Sequence, residues 1–359
     1  MTSSPAPPVE PGDPSLLEVV RGRIEGLLRS GEYPPGSRLP PERTLAERFR
    51  VNRLTVNKAL GRFVDAGRIT RRVGSGTYVT GVADALKVVD VFLPHNDRAE
   101  DGPSAILGRP GIAEGVHDYF RDRTVRMAIA FYRDDAELAQ RILRVADEPG
   151  SAQIIWYRPG EQALAALRAL KARRRSFCLV DCSDQCEDCD LVATDEFQGG
   201  LLAAGVLCDG GRRHLAYLTL PLAQENLRER CAGVRRGAGR AGAALDEHPV
   251  ADPAAVAEVV EAVLAEDCDG IACSNDWIAL AVLAELGRRG VAVPGRVAVV
   301  GYDDIAAGRY ASPALTTVAQ DFAAIGFRAA DIVDRGFREP AVAGRSQLIG
   351  PSLVRRVSA

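Results

Sequence analysis

The chain has 359 residues, 47% hydrophobic and 26% charged, the balance of an ordinary water-soluble globular protein of about two domains. No uninterrupted apolar run reaches the roughly 18 residues a membrane-spanning helix needs, and the Pro/Ser-rich start lacks the basic and apolar stretches of a secretory signal. The net charge of −3 is uneven: residues 15–81 carry 13 Lys/Arg against 6 Asp/Glu, a net +7 that leaves −10 for the rest. A small basic module on a large acidic body is the electrostatic outline of a nucleic-acid binder joined to something else.

Residues 1–14 are expected to be a disordered tail. Ser15-Leu16-Leu17-Glu18 fits a capping box, and Leu17, Val20, Ile24 and Leu27 recur at helical spacing until Gly31 and Tyr33-Pro34-Pro35-Gly36 end the pattern. A second helix is predicted over 41–49, with Leu45 and Phe49 on one face. A third is predicted from the N-cap Asn52 to Ala66, with Val56, Leu60 and Phe63 inward and Gly67 as its stop. β-Branched stretches around 69–70 and 77–79 flank Gly74-Ser75-Gly76 and predict a hairpin.

From Lys87 strand-like runs alternate with Ala/Leu/Arg-rich helical ones. Strands are expected at 88–93, 127–131, 153–156, 177–180, 191–193, 214–219, 270–272 and 297–300. Helices are expected near 112–121, 136–146, 161–172, 198–209, 226–241, 254–266 and 278–289. This alternation predicts an α/β body with parallel sheets covered by helices. The strands exceed what one open sheet of this length holds, so two lobes are expected. The division is 15–81 for the basic module, 82–87 for a linker, and 88–359 for the body. Its lobes comprise roughly 88–195 with 320–345, and 196–319 with 346–359.

In the basic module, the third helix offers Arg53, Thr55 and Asn57 near its N-terminus, where a recognition helix meets base edges in the major groove. Arg can grip guanine, and Asn adenine, at two atoms each; Thr55 and the helix N-terminus can bond phosphate oxygens. Three stretches, Pro35-Gly36-Ser37-Arg38-Leu39-Pro40-Pro41-Glu42-Arg43-Thr44-Leu45-Ala46-Glu47, Val51-Asn52-Arg53-Leu54-Thr55-Val56-Asn57-Lys58-Ala59-Leu60 and Gly74-Ser75-Gly76-Thr77-Tyr78-Val79, together resemble the winged helix-turn-helix of the GntR family. By that resemblance Arg43, Arg53, Thr55 and Gly76 match residues that contact DNA. Asn57 stands where a basic residue is frequent and Leu54 where a polar one is, which leaves DNA binding expected and the operator sequence open.

The body resembles the sensor domain of the LacI/GalR repressors, which shares the two-lobed fold of periplasmic sugar-binding proteins. The resemblance rests on Leu179-Val180-Asp181-Cys182-Ser183-Asp184, Arg228-Glu229-Arg230-Cys231-Ala232-Gly233, Cys273-Ser274-Asn275-Asp276-Trp277-Ile278-Ala279-Leu280, and Val300-Gly301-Tyr302-Asp303-Asp304-Ile305 leading to 312–320. Fused to the GntR-type head, it is similar to arabinose-repressor-type regulators. Asp181, Asn275 and Asp303 each follow a predicted strand, so they can converge beyond the strands' C-terminal ends, where open parallel sheets bind ligands. The resemblance implies Asp181, Arg230, Asn275, Asp303 and Gln320 as effector contacts. Trp277 is a candidate stacking face, and His95, Asn96 and Asp97 are weaker candidates. Asn275 reads equally as a helix cap and Asp303 as a turn residue.

Cys178, Cys182, Cys186 and Cys189 lie within residues 178–189, a spacing that suggests zinc, an iron–sulfur cluster or redox sensing as an alternative input. In a chain with no secretory signal these thiols are expected to be reduced. No nucleophile triad or phosphate-binding glycine loop occurs, so neither catalysis nor a cofactor is expected. The expectation is a cytoplasmic, homodimeric, sugar-responsive repressor on pseudo-palindromic double-stranded DNA.

Overall fold

A computed structural model describes residues 14–29, 32–33, 36–65, 68–72, 75–79, 86–95, 104–157, 160–181, 188–221, 225–250, 255–338 and 346–359. The chain divides near Lys87 into two compact units.

The first unit holds α1 (Pro14–Arg29), α2 (Glu42–Phe49), α3 (Arg53–Asp65) and an antiparallel hairpin of β1 (Ile69–Arg72) and β2 (Gly76–Val79), paired from Ile69↔Val79 to Arg72↔Gly76. Its core draws Val20 and Ile24 from α1, Leu45 and Phe49 from α2, Val56, Leu60 and Phe63 from α3, and Ile69 and Val79 from the hairpin. These are the positions the helical spacing selects. The turn between α2 and α3 is set by Arg50, left-handed at φ 57°, whose N–H reaches back to the carbonyls of Ala46 and Glu47. Asn52 then caps α3, its Oδ1 accepting from the Thr55 N–H at 2.8 Å. The first helix begins at Pro14, so Ser15 lies inside the first turn instead of capping it; proline's fixed φ suits that first position. Residues 1–13 of the expected tail, the helix stop Gly67, the turn residue Gly74 and residues 82–85 of the linker lie outside the described residues.

The second unit contains two six-stranded sheets. The first has β3 (Val88–Pro94), β4 (Arg126–Tyr132), β5 (Ser151–Trp156), β6 (Phe177–Val180), β7 (Leu191–Thr194) and β13 (Ser346–Ile349), in the order β13-β7-β6-β5-β3-β4, all parallel. The second has β8 (His214–Thr219), β9 (Ala244–Pro249), β10 (Gly270–Cys273), β11 (Ala298–Tyr302), β12 (Thr316–Ala319) and β14 (Ser352–Val354), in the order β14-β12-β11-β10-β8-β9. Only β14 runs antiparallel there.

Strands β5, β10 and β11 are buried along their whole length, as expected of strands covered on both faces. On the first sheet, α5 (Asp135–Val145) and α6 (Glu161–Ala172) bury Leu138, Ile142, Leu167 and Leu170 against Ile155 and Leu179. Two further helices, α4 (Ser104–Phe120) and α12 (Phe322–Arg338), meet so closely that a Cβ on Gly326 would lie 2.1 Å from the Ile112 carbonyl oxygen. On the second sheet, α9 (Val256–Ala265) and α10 (Asp276–Arg288) cover one face, and α7 (Glu196–Asp209) and α8 (Glu225–Arg240) the other.

One lobe assignment needs correction. Residues 346–349 were expected in the second lobe, yet β13 pairs with β7 in the first; only from β14 does the tail return to the second sheet. A short, half-exposed edge strand carries no cue for which sheet it joins. Six elements had no counterpart in the sequence reading: β9, an edge strand whose consecutive Asp246, Glu247 and His248 hide it, the short β12, β13 and β14, the short α11 (Ala306–Arg309), and α12. In addition, α4 starts at Ser104 and runs through Pro110, well before the expected 112–121. No helix among the described residues is long and apolar enough to cross a membrane.

Candidate functional site

Two sites emerge, one in each unit. In the first, the N-terminal half of α3 is exposed from Asn52 to Leu54, with the Arg53 side chain 75% exposed. Arg43, Arg50, Asn52, Arg53 and Thr55 line a single open concavity at the start of that helix. The Thr55 hydroxyl donates to Asn52 Oδ1 at 3.2 Å, so the cap also orients the residue expected to meet phosphate. Leu54 is 69% exposed, an apolar side chain held out on an otherwise polar face. Gly76 begins β2 at φ +119°, and a Cβ there would lie 2.5 Å from Arg38 Nε. The glycine therefore makes room for a guanidinium that the sequence reading did not single out. Arg72 extends the same basic hairpin, its guanidinium 4.7 Å from the centre of the Tyr78 ring.

In the second unit the chain crosses between its sheets three times, at 194–196, 319–322 and 349–352. The crossings are bonded to one another. Thr194 Oγ1 donates to Gln320 Oε1 at 2.7 Å, and the Asp195 N–H donates to the Ile349 carbonyl at 2.9 Å. Gln320 Nε2 donates in turn to Asp303 Oδ1 at 2.7 Å. Asp303 follows β11 at φ 108° and is 7% exposed. A non-glycine residue held there is strained, a cost of order 1–3 kcal/mol that persists where the surroundings over-determine it.

Behind Asp303 lies a buried ionic cluster. Arg230, 3% exposed, donates from Nε and Nη2 to the two oxygens of Glu196 at 2.9 and 3.0 Å, and from Nη1 to the Ser274 carbonyl. Its guanidinium lies 3.5 Å from the centre of the Tyr302 ring, and the Tyr302 hydroxyl donates to Glu196 at 2.7 Å. Burial disfavours the Arg230 charge; the carboxylate of Glu196, with Tyr302 and Asp303, outweighs it and holds the guanidinium above its ordinary pKa. The helices bring these groups together because α7 and α8 touch at glycines: a Cβ on Gly200 would lie 2.1 Å from the Arg230 carbonyl oxygen. Arg230 thus spends three of its five N–H donors inside the lobe.

Asn275 is 3% exposed, and its Oδ1 caps α10 by accepting from the Ile278 N–H at 2.9 Å. The capping reading holds, and the cap uses the amide oxygen alone. Trp277 is 45% exposed, so it is not a core residue. Asp181 follows β6 directly, half-buried at φ 46°. The His95 ring packs edge-on against Phe131, and Asn96 and Asp97 lie outside the described residues.

The geometry therefore joins Arg230, Asp303 and Gln320 and adds residues the sequence reading missed. Glu196 had the cue used for Asp181 and Asp303, an acid just past a strand. Asp276 is fully buried and accepts from the Thr317 hydroxyl at 2.6 Å and the Ile305 N–H at 2.8 Å. Burial, then the nearby Asp303, pushes its carboxyl up to about 7.

The cysteine expectation is corrected in part. Cys178 is a buried thiol in β6, but Cys189 is disulfide-bonded, where reduced thiols were expected. Cys182 and Cys186 lie outside the described residues, among which no group of three or more His, Cys, Asp or Glu is placed to hold a metal.

Comparison with known proteins agrees with both units. Residues 16–79 match the bacterial regulatory proteins of the gntR family, and residues 204–359 match the periplasmic binding protein-like domain. The chain is 29% identical over 178 residues to the HTH-type transcriptional repressor PurR of Histophilus somni, covering 48% of this chain and 54% of that one. It is 36% identical over 133 residues to the HTH-type transcriptional regulator AscG of Escherichia coli, covering 35% and 40%. It thus spans about half the length of the curated relatives it matches. A LacI family transcriptional regulator from Enterococcus faecium, solved with bound ribose, superposes with a TM-score of 0.62 at 22% identity, covering 76% of this chain and 98% of that one. This chain thus joins a helical head whose residues 16–79 match the gntR family to a two-lobed body of the LacI-type fold whose residues 204–359 match the periplasmic binding protein-like domain.

Proposed function

We propose that this chain is a dimeric transcriptional repressor whose hold on operator DNA is set by a small sugar-like effector bound between the lobes of its body. The observation that carries the reading is the joining, in one chain, of an exposed, basic recognition helix to a body whose interlobe crossings hold a polar cluster. Similarity to HTH-type repressors supports the DNA half, and the ribose bound by a protein of the same fold supports the effector half.

On DNA, α3 enters the major groove. Arg53 offers its terminal guanidinium nitrogens to a guanine, Asn57 offers its amide to an adenine, and Leu54 meets a thymine methyl. Arg43 and Thr55 bind phosphates, and Gly76 keeps the hairpin thin near the backbone. In the body, Asp181 from the first lobe, Asp303 and the Asn275 amide from the second, and Gln320 from the crossing between them supply the donors and acceptors a polyol needs. The two N–H groups left on Arg230 add to them, and Trp277 offers a ring face. An effector that prefers the closed lobes shifts operator affinity by its differential affinity alone, and DNA shifts effector affinity by the same factor.

A thermal-shift screen of the full chain against pentoses, hexoses and their phosphates tests the reading. A ligand at 100 times its dissociation constant stabilises by about 2.7 kcal/mol. The effector found there must change operator binding in fluorescence anisotropy. A panel without a stabilising sugar, or a stabilising sugar that leaves operator affinity unchanged, overturns the effector half.

A further inference from the structure

At the start of α2 one carboxylate gathers groups from α3 and β1. Arg53 Nε donates to Glu42 Oε2 at 3.2 Å, and Asn57 Nδ2 donates to Glu42 Oε1 at 2.7 Å. Arg71 Nη2 lies 3.4 Å from the same Oε1 and also donates to the Asn57 carbonyl at 3.3 Å. Arg53 and Asn57 are four residues apart and share one face of α3. The Glu42 side chain is 19% exposed, beneath an Arg53 side chain that is 75% exposed.

This acid stands in the middle of a basic surface that meets a polyanion, and there it can only repel phosphate. Its contacts show what offsets that. A carboxylate has no hydrogen to give, so it fixes which end of the Asn57 amide turns inward. One N–H is held, leaving the Oδ1 acceptor and the second N–H to face outward, the pair adenine takes. Holding Arg53 by Nε leaves Nη1 and Nη2, the fork that grips guanine O6 and N7. Long side chains tethered before DNA arrives lose less rotamer freedom on binding.

We propose that Glu42 is a positioning residue that trades DNA affinity for base discrimination, by holding Arg53 and Asn57 in their reading geometry. This rests on the reading of α3 as the base-contacting helix, and the test separates the two. The full chain and its Glu42→Gln, Glu42→Asp and Arg53→Ala variants are each selected against a randomised duplex library and sequenced. Affinity for an unselected random duplex and the melting temperature are measured alongside.

Glu42→Gln removes the repulsion and slackens the tether. It binds the random duplex more tightly than wild type, while its discrimination at two positions of each half-site falls by about tenfold, within what a bidentate base contact supplies. Glu42→Asp keeps the charge but is one methylene short. It loses discrimination without the gain in random-duplex affinity. Arg53→Ala flattens one of the same positions and binds the random duplex more weakly, having lost a cation.

A Glu42→Gln protein that selects the wild-type motif with undiminished discrimination overturns the role of Glu42, while a flattened Arg53→Ala motif keeps the reading of α3. The role of Glu42 is overturned as well by a Glu42→Gln protein whose melting temperature and random-duplex affinity fall together, the mark of a merely structural residue. An Arg53→Ala protein that selects the wild-type motif overturns both.

Discussion

The pair of Glu196 and Arg230 gives the sharpest test of how the second lobe is held. Both are buried, at 7% and 3% exposed, and two bonds of 2.9 and 3.0 Å join them. The Tyr302 hydroxyl and the Ser274 carbonyl complete the set, so Glu196→Gln removes the bonded charge that balances a guanidinium almost wholly out of water. Removing one partner of a buried pair costs about 3–5 kcal/mol, because the remaining charge stays desolvated and uncompensated. For a domain of this size each kcal/mol lowers the melting temperature by about 2–4 °C, so a fall of about 6–20 °C is expected by circular dichroism at pH 7. The double variant Glu196→Leu with Arg230→Met should recover most of the loss, since apolar replacement of both ions is often neutral or stabilising. A Glu196→Gln protein melting within about 2 °C of wild type, against the several kcal/mol expected of a dry pair, would show that water reaches it.

Asp276 predicts a pH dependence. Its carboxyl lies at about 7 in the folded chain against an ordinary 3.8, so the native state keeps a proton that the unfolded state releases. Stability then falls as pH rises from about 4 to about 7, by up to a few kcal/mol. Asp276→Asn should flatten that slope in urea titrations at pH 5 and pH 8; parallel slopes would refute it. Operator binding should weaken about 10³–10⁵-fold between 50 and 200 mM salt if the paired heads neutralise roughly 6–10 phosphates, and a salt-insensitive complex would rule that out. Asp303→Asn keeps the size of a residue at φ 108° but loses the charge and one acceptor. The variant should bind operator as wild type does and fail to release it at effector levels that release wild type, read by anisotropy. Release at the wild-type effector concentration would leave Asp303 a turn residue only.

Much of this protein is written in local patterns. The spacing of Val20, Ile24, Leu45, Phe49, Val56, Leu60 and Phe63 marks the helical faces that meet in the head, and Asn52 announces the cap of α3, because cap and turn chemistry act over a few residues. The β-α alternation determines parallel sheets, since a strand buried on both faces must be apolar throughout. Acids just past strand ends marked candidate ligand contacts, and Asp303 among them is bonded to Gln320 at a crossing between the sheets. What sequence could not show is set by contacts far apart in the chain. Arg230 reads as a ligand donor with its whole fork free until Glu196, 34 residues away, is seen to take two of its five N–H groups. Asp276 reads as a helix-start acid until Thr317, 41 residues on, closes over it. Residues 346–349 join the first sheet and 352–354 the second, a choice that neighbouring strands make and local propensity does not. In the head, Glu42 sits in a motif legible at sight, but only folding sets its carboxylate beneath Arg53 and Asn57. Propensity and periodicity act within a few residues, whereas the pairing of buried charges depends on which surfaces the fold brings face to face.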